Sequence, residues 1–156
     1  MKRILLILTV LAAVAGTAAA EDTYLKPGSV TAQLGAGLGW GGLVGSVVGG
    51  VDVGLVQLPL GSAFPLDVGI AGRAGLSLEP AAGLGAYGTL HYSWKALRSS
   101  MEWLDHMETY LGIGLEVLPR IGLDGYLGSS YHFNNHWNVF VEGSLSVLSV
   151  GAGYRF

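Results

Sequence analysis

The sequence contains no cysteine, which excludes disulfide bonds and a lipid anchor on an N-terminal cysteine. Charge is also scarce, because Asp, Glu, Lys and Arg make up 12% of the 156 residues whereas 51% are hydrophobic. Acidic residues outnumber basic ones by 11 to 8, which gives no reason to expect nucleic-acid binding. His106 and His136 lack the spacing of metal ligands, and neither a metal nor a cofactor is predicted.

Long apolar runs are absent after residue 20, and the one before it has the features of a secretory signal. Lys2 and Arg3 are charged, residues 4–14 are largely apolar, and residues 18–20 are all alanine. The run is shorter than the roughly 20 apolar residues of a spanning helix, which disfavours a retained membrane anchor. We predict a signal peptide over residues 1–20, cut before Glu21, and a short periplasmic leader over residues 21–28.

What the sequence does contain is strict period-two alternation. From Val30 to Trp40 the even positions are apolar and the odd positions are polar or glycine, which predicts a strand with two different faces. An exported apolar chain without a spanning helix can enter a membrane as a closed β-barrel. Recurrence of the pattern predicts eight strands: Ser29–Trp40, Leu43–Val56, Leu66–Ser77, Ala82–Trp94, Thr109–Leu118, Ile121–Phe133, Trp137–Ser146 and Ser149–Phe156.

The predicted fold class is therefore all-β, an eight-stranded antiparallel up-and-down transmembrane β-barrel over residues 29–156. Its strand lengths suit a tilted membrane crossing, and eight is the smallest even strand number of bacterial barrels. We predict loops at Gln57–Pro65 and Lys95–Glu108, the second with one or two helical turns. The last turn is placed at Val147 and Leu148, which are not typical turn residues.

Charged residues of the strands all fall on the non-apolar face. Because that face is dominated by small residues, it suits the narrow lumen of an eight-stranded barrel. A soluble ligand-binding barrel is the alternative, but its outer face would need many more charges than this chain has. The predicted polar network of the lumen comprises Asp52, Asp67, Arg73, Glu116, Asp124, Glu142 and Arg155.

Aromatic residues cluster at one end of the predicted strands. With strands running alternately up and down, one rim collects outward-pointing rings, as in the aromatic girdle at a membrane interface. The predicted girdle comprises Tyr92, Trp94, Tyr131, Phe133, Trp137, Tyr154 and Phe156.

The C-terminal sequence S-V-G-A-G-Y-R-F, with Tyr154 third from the end and a terminal Phe156, resembles the C-terminal signal of bacterial outer-membrane barrels. Together with the signal peptide and eight strands, it makes the chain similar to the small OmpA/OmpX-like class. The resemblance implies a Gram-negative outer membrane, insertion by the barrel assembly machinery and periplasmic termini. It implies contact with membrane lipid but no particular function, and it leaves the oligomeric state open.

Within the lumen, Glu116 and Asp124 flank the turn at residues 119–120 and should lie opposite or one row apart. Two close carboxylates repel, so we expect a salt-bridge network completed by Arg73, with a cation site or an acid/base pair as alternatives. Asp52 with Asp67, and Glu142 with Arg155, fit the same network. His132 and Asn138 are expected to share a lumenal hydrogen bond.

Two classes of function follow. The first is a non-enzymatic outer-membrane barrel with a structural or envelope-integrity role and a lumen plugged by side chains. The alternative is a lipid A-modifying enzyme, because His91 and Ser93 resemble the His-x-Ser pair of lipid A deacylases, with Glu102 as the next glutamate. Trp94 departs from that family's pattern, which has asparagine at this position.

Overall fold

The computed structural model describes residues 23–39, 45–59, 65–77, 82–97, 101–118, 121–144 and 147–156. These ranges form one closed barrel whose strands follow each other in chain order, with the first strand pairing with the last to close it. The predicted signal peptide and the predicted turn at residues 119–120 lie outside the described ranges.

All neighbouring strands are antiparallel, so the predicted up-and-down β-barrel is confirmed. The strands are β1 Val30–Gly39, β2 Gly45–Pro59, β3 Pro65–Ser77, β4 Ala82–Ser93, β5 Met107–Leu118, β6 Gly122–His132, β7 Trp137–Ser144 and β8 Val147–Arg155. Two short 3-10 helices, Trp94–Leu97 and Glu102–His106, connect β4 to β5. In the part of the chain that the structure describes, no helix is long and apolar enough to span a membrane.

The alternation of the sequence becomes an alternation between the outside and the inside of the barrel. Leu34 and Ile113 are 65% and 62% exposed on the outer face, whereas Asp52 is 1% exposed inside. A sheet that closes on itself leaves no unpaired edge, and its outer face can then be wholly apolar in lipid. The arrangement is therefore the reverse of a soluble barrel, whose apolar face looks inward.

Two predicted loop boundaries were wrong because strands continue into them. β2 continues to Pro59 and has a register shift between Gly54 and Val56. The extra residue of this bulge changes the face to which the following side chains point, so Gln57 points inward. β5 begins at Met107, so Glu108 belongs to a strand and not to the connection before it.

The predicted turn at Val147 and Leu148 was also wrong, since both residues pair with β1 as part of β8. β7 ends at Ser144, whose hydroxyl oxygen accepts a hydrogen bond from the Val147 amide at 3.0 Å. β8 therefore begins at Val147, two residues earlier than the predicted start at Ser149.

Residues 23–28, which belong to the leader predicted over residues 21–28, lie in the barrel mouth and are called the N-terminal plug here. Gly28 has a φ of 83°, which glycine adopts without strain, and its amide donates to the Gly54 carbonyl at 2.8 Å. Thr23 and Leu25 are both 3% exposed. The plug thus fills the mouth on the side of the chain termini with its own side chains.

Candidate functional site

The lumen is where the chain gathers its buried polar and ionisable side chains. The structure places all seven predicted lumen charges on the inner face, with Asp52, Asp67 and Glu142 buried and Arg73, Glu116, Asp124 and Arg155 partly exposed. They do not form one network, because they are divided among separate levels between the two mouths.

At mid-height, Arg73 joins two carboxylates from different strands. Its guanidinium donates to both oxygens of Asp52 at 3.0 and 3.1 Å, and to both oxygens of Glu142 at 3.2 and 3.3 Å. The Arg73 carbon Cζ also lies 4.6 Å from the ring centre of Tyr126. Bidentate pairing on both sides links these three charged side chains and fixes β2, β3 and β7 relative to each other.

This arrangement corrects two expected pairings. Arg73 does not complete a network with Glu116 and Asp124, because its donors are taken by the carboxylates below. Asp124 instead accepts a hydrogen bond from the Tyr87 hydroxyl at 2.8 Å. Arg155 is not paired with Glu142, because it lies at the terminal mouth and donates to the carbonyl oxygens of Asn135 and Tyr24.

Below Arg73, Glu108 joins two histidines. His91 Nδ1 lies 2.9 Å from Glu108 Oε1, and His132 Nε2 lies 2.9 Å from Glu108 Oε2. His132 does face Asn138 across the hairpin in the strand register, but its nitrogen bonds Glu108 instead of the amide. All three members of this set, called the His–Glu–His cluster, are nearly inaccessible.

The N-terminal plug is bonded directly to these lumenal groups. The Tyr24 ring stacks on His132 with centroids 3.6 Å apart and planes 3° from parallel. Gln57 Nε2 donates to Thr23 Oγ1 at 3.0 Å and to Asp67 Oδ1 at 3.1 Å, which ties the plug to β2 and β3. The plug and the buried ionisable side chains of the lumen therefore close the lower half of the barrel together.

The residues of the lipid A deacylase hypothesis lie in this lower half. His91 and Ser93 are 3% and 2% exposed and point inward, and the Nδ1 atom of His91 is engaged by Glu108. Glu102 is exposed on the second 3-10 helix, apart from the lumen. Among the described residues, no three histidine, aspartate or glutamate side chains are grouped to hold a metal ion.

Glu108 and the plug are the lumenal elements that sequence reasoning missed. The alternation of β5 continues upstream of Leu111, with Glu108 and Tyr110 on the inner face, and extending the pattern would have found them. No comparable signal marks the plug, because Thr23, Tyr24 and Leu25 do not form a periodic segment. Their burial depends on contacts with strands far away in the sequence.

Tyrosines fill the centre of the lumen, and each leans over an inward-facing glycine. The rings of Tyr87 and Tyr126 meet edge to face with centroids 4.9 Å apart, and Tyr110 lies 6.1 Å from Tyr126 and 5.2 Å from His91. Glycine leaves room for the Tyr110 ring at Gly128 on the neighbouring strand. Because the lumen is narrow, a tyrosine ring fits only where a facing glycine leaves space for it.

Replacing Gly128 by alanine is therefore expected to destabilise the barrel by about 1–3 kcal/mol through overpacking. The added methyl group would lie 2.5 Å from Tyr110 Cε2, and that ring is held by its aromatic neighbours. Urea unfolding of detergent-solubilised protein, followed by tryptophan fluorescence, measures the change. Gly72→Ala is the control, because nothing lies within 4 Å of its added methyl group. Equal stability of the two variants would contradict the tight fit.

The structure places the residues of the predicted girdle at the mouth nearest the termini. Adjacent rings touch along this rim, with edge-to-face pairs between Tyr92 and Trp94 and between Tyr131 and Phe133. Trp137, Tyr154 and Phe156 continue the row with centroid separations of 4.9 and 5.1 Å.

A closed antiparallel barrel with an apolar exterior and ion pairs in its lumen defines the class of transmembrane β-barrels. The solved structures agree: the chain is similar to a barrel described under "De novo design of transmembrane beta-barrels", with a TM-score of 0.65 and 17% sequence identity. That match covers 86% of this chain and 100% of the other.

The outer membrane protein Ail of Yersinia pestis, in a phospholipid nanodisc, also matches, with a TM-score of 0.44 and 10% identity. This second match covers 83% of this chain and 99% of Ail. Neither a protein-family model nor a curated protein sequence matches the chain.

Proposed function

We propose that this protein is a non-enzymatic integral protein of a bacterial outer membrane, with a structural role in envelope integrity and periplasmic termini. The observation that carries the proposal is the closed lower lumen. The N-terminal plug, the His–Glu–His cluster and the Arg73 ion pairs occupy the interior, and the space between Tyr24, His91 and Glu108 is only about 10 Å³. A barrel filled in this way adds a rigid apolar cylinder to a membrane without opening a pore.

The purified protein is expected to insert into planar lipid bilayers without stepwise conductance, since the described side chains fill the lower lumen. A known porin in the same bilayer provides the positive control. In the producing cell, the protein should be found in the outer-membrane fraction and should migrate differently on SDS gels before and after boiling. Reproducible single-channel steps would contradict the closed lumen, and a fixed gel mobility would contradict the barrel.

The envelope role is tested by deleting the gene and measuring uptake of a hydrophobic fluorescent dye. We expect faster uptake in the deletion strain and recovery when the wild-type gene is restored. The gene carrying Ile113→Arg should fail to restore the barrier, because it places a charge on the lipid-facing surface. Unchanged dye uptake after deletion would contradict a role in envelope integrity.

The lipid A-modifying alternative is tested with the same purified protein. If it holds, incubation with lipid A releases fatty acid, and the Ser93→Ala variant releases none. The Glu102→Gln variant releases the same amount as wild type or less. The non-enzymatic proposal expects no release by any of these proteins. The burial of Ser93 and His91 supports this expectation, since a lipid acyl chain would have to enter the lumen to reach them.

A further inference from the structure

The upper half of the lumen contains a cavity. It has a volume of about 420 Å³ and lies at the rim opposite the termini, where β4 begins and β5 ends; it is called the upper cup here. The cup exists because inner positions here carry small residues, including Gly75, Gly83 and Ser46, where the lower half carries tyrosine and histidine. Its volume falls within the range of about 300–1,000 Å³ that is typical of small-molecule sites.

The charge lining the upper cup is predominantly negative. Arg73 is the only cation among the described lining residues, against the carboxylates of Glu116, Asp124 and Glu142. Because Arg73 already bridges Glu142 and Asp52, its charge is compensated. Asp124 accepts only the Tyr87 hydroxyl, and Glu116 has no hydrogen-bond or ion-pair partner in the described part of the chain. Among the described residues, the cup therefore carries negative charge that Arg73 does not compensate.

Two hydroxyl groups in the wall of the upper cup are also without partners. Tyr126 is 3% exposed, and its hydroxyl has no hydrogen-bond partner among the described residues. The buried hydroxyl oxygen of Ser46 lacks one as well. Buried polar atoms are normally hydrogen-bonded, so these two atoms point to a donor or acceptor that the described residues do not supply.

We propose that the upper cup is a binding site for a small organic cation that carries ammonium groups. The ammonium hydrogens are donated to the carboxylates of Glu116 and Asp124, with the Tyr126 hydroxyl as a further acceptor. Val48 and Val147 provide apolar contact for the carbon skeleton. With the termini on the periplasmic side, as proposed above, the cup opens to the cell exterior and takes up its ligand there.

An organic cation fits this chemistry better than a bare metal ion does. A calcium or magnesium ion requires six or more oxygen ligands at short distance. The described residues contain no grouping of carboxylates and histidines suited to a metal. The cup instead combines carboxylates with glycine and valine walls, which leave volume for carbon atoms.

The test uses the full-length mature protein in dodecyl maltoside micelles and hexane-1,6-diamine as the probe, followed by isothermal titration calorimetry. We expect saturable binding that weakens as salt is raised, and no binding of the uncharged hexane-1,6-diol or of the dianion adipate. Glu116→Gln with Asp124→Asn removes the charge at constant shape, and should weaken binding about tenfold or more. Tyr126→Phe should weaken it by about threefold to tenfold, through loss of one acceptor.

Two further variants separate binding in the cup from general attraction by charge. Glu102→Gln removes one negative charge on the opposite rim and should leave the affinity within about twofold. Gly75→Leu fills the cup without changing charge, because an added Cβ meets nothing closer than 3.8 Å there, and it should abolish binding. The proposal is overturned if the diamine does not bind, if the double variant binds as tightly as wild type, or if Mg²⁺ binds more tightly and competes.

Discussion

Replacing Arg73 by methionine is expected to lower the free energy of unfolding by about 3–5 kcal/mol, because it leaves buried carboxylates without their cation. Asp52 and Glu142 both receive paired hydrogen bonds from this one guanidinium, and their side chains are 2% and 11% exposed. Urea titration of protein folded in phosphatidylcholine vesicles, with tryptophan fluorescence as the signal, measures the difference.

Matched variants of the same site distinguish lost charge from lost packing. Combining Arg73→Met with Asp52→Asn and Glu142→Gln removes all three charges, and most of the stability should return. Arg73→Lys keeps the charge but lacks the planar guanidinium that binds two carboxylates at once, so an intermediate loss is expected. A single Arg73→Met variant within about 1 kcal/mol of wild type would contradict the ion-pair account.

The second large effect concerns the outer surface. Ile113 lies midway along β5 and is 62% exposed, so Ile113→Arg places a guanidinium in the hydrocarbon layer of the membrane. We expect a loss of about 2–4 kcal/mol, which is the usual cost of a basic residue on the lipid face near the bilayer midplane. The same urea titration in phosphatidylcholine vesicles measures this loss, because a detergent micelle does not reproduce how deep a residue lies in a bilayer.

Depth within the membrane supplies the control for this prediction. Val117 faces outward on the same strand but lies one residue from its end, so Val117→Arg should cost only about 0–1 kcal/mol. The difference between these two variants is the signature of lipid on the outside. Equal and small effects at both positions would mean that water, and not hydrocarbon, surrounds the barrel.

The fold could be predicted from sequence because the outward-facing residues obey one simple rule. Leu34, Val51 and Ile113 all lie on the face that period two assigns to lipid. Strand ends were less well predicted, since Val147 and Leu148 pair with β1 although the preceding strand was expected to run on to residue 146. The sequence has no typical turn residues at that point, and the place where the chain reverses depends on the register with the neighbouring strand.

The lumenal site could be predicted only in part. Alternation placed Arg73, Asp52 and Glu142 on the inner face but could not say which side chains would meet. Strand tilt and stagger decide that, because they bring residues of β3 and β7 to the same height although these strands are not neighbours. The prediction that Arg73 pairs with Glu116 and Asp124 was wrong because alternation does not show which side chains lie at the same height.

By itself, the sequence determined the class of fold and the separation of a lipid-facing surface from an ionisable interior, because both depend on a local repeat of two residues. Only the tertiary structure decided how the lumen is divided, with Glu108 binding two histidines, Tyr24 stacking on His132 and a cavity left beneath the far rim. Those contacts join residues from opposite walls of a closed sheet, and their meeting is set by barrel geometry rather than by neighbours in the chain.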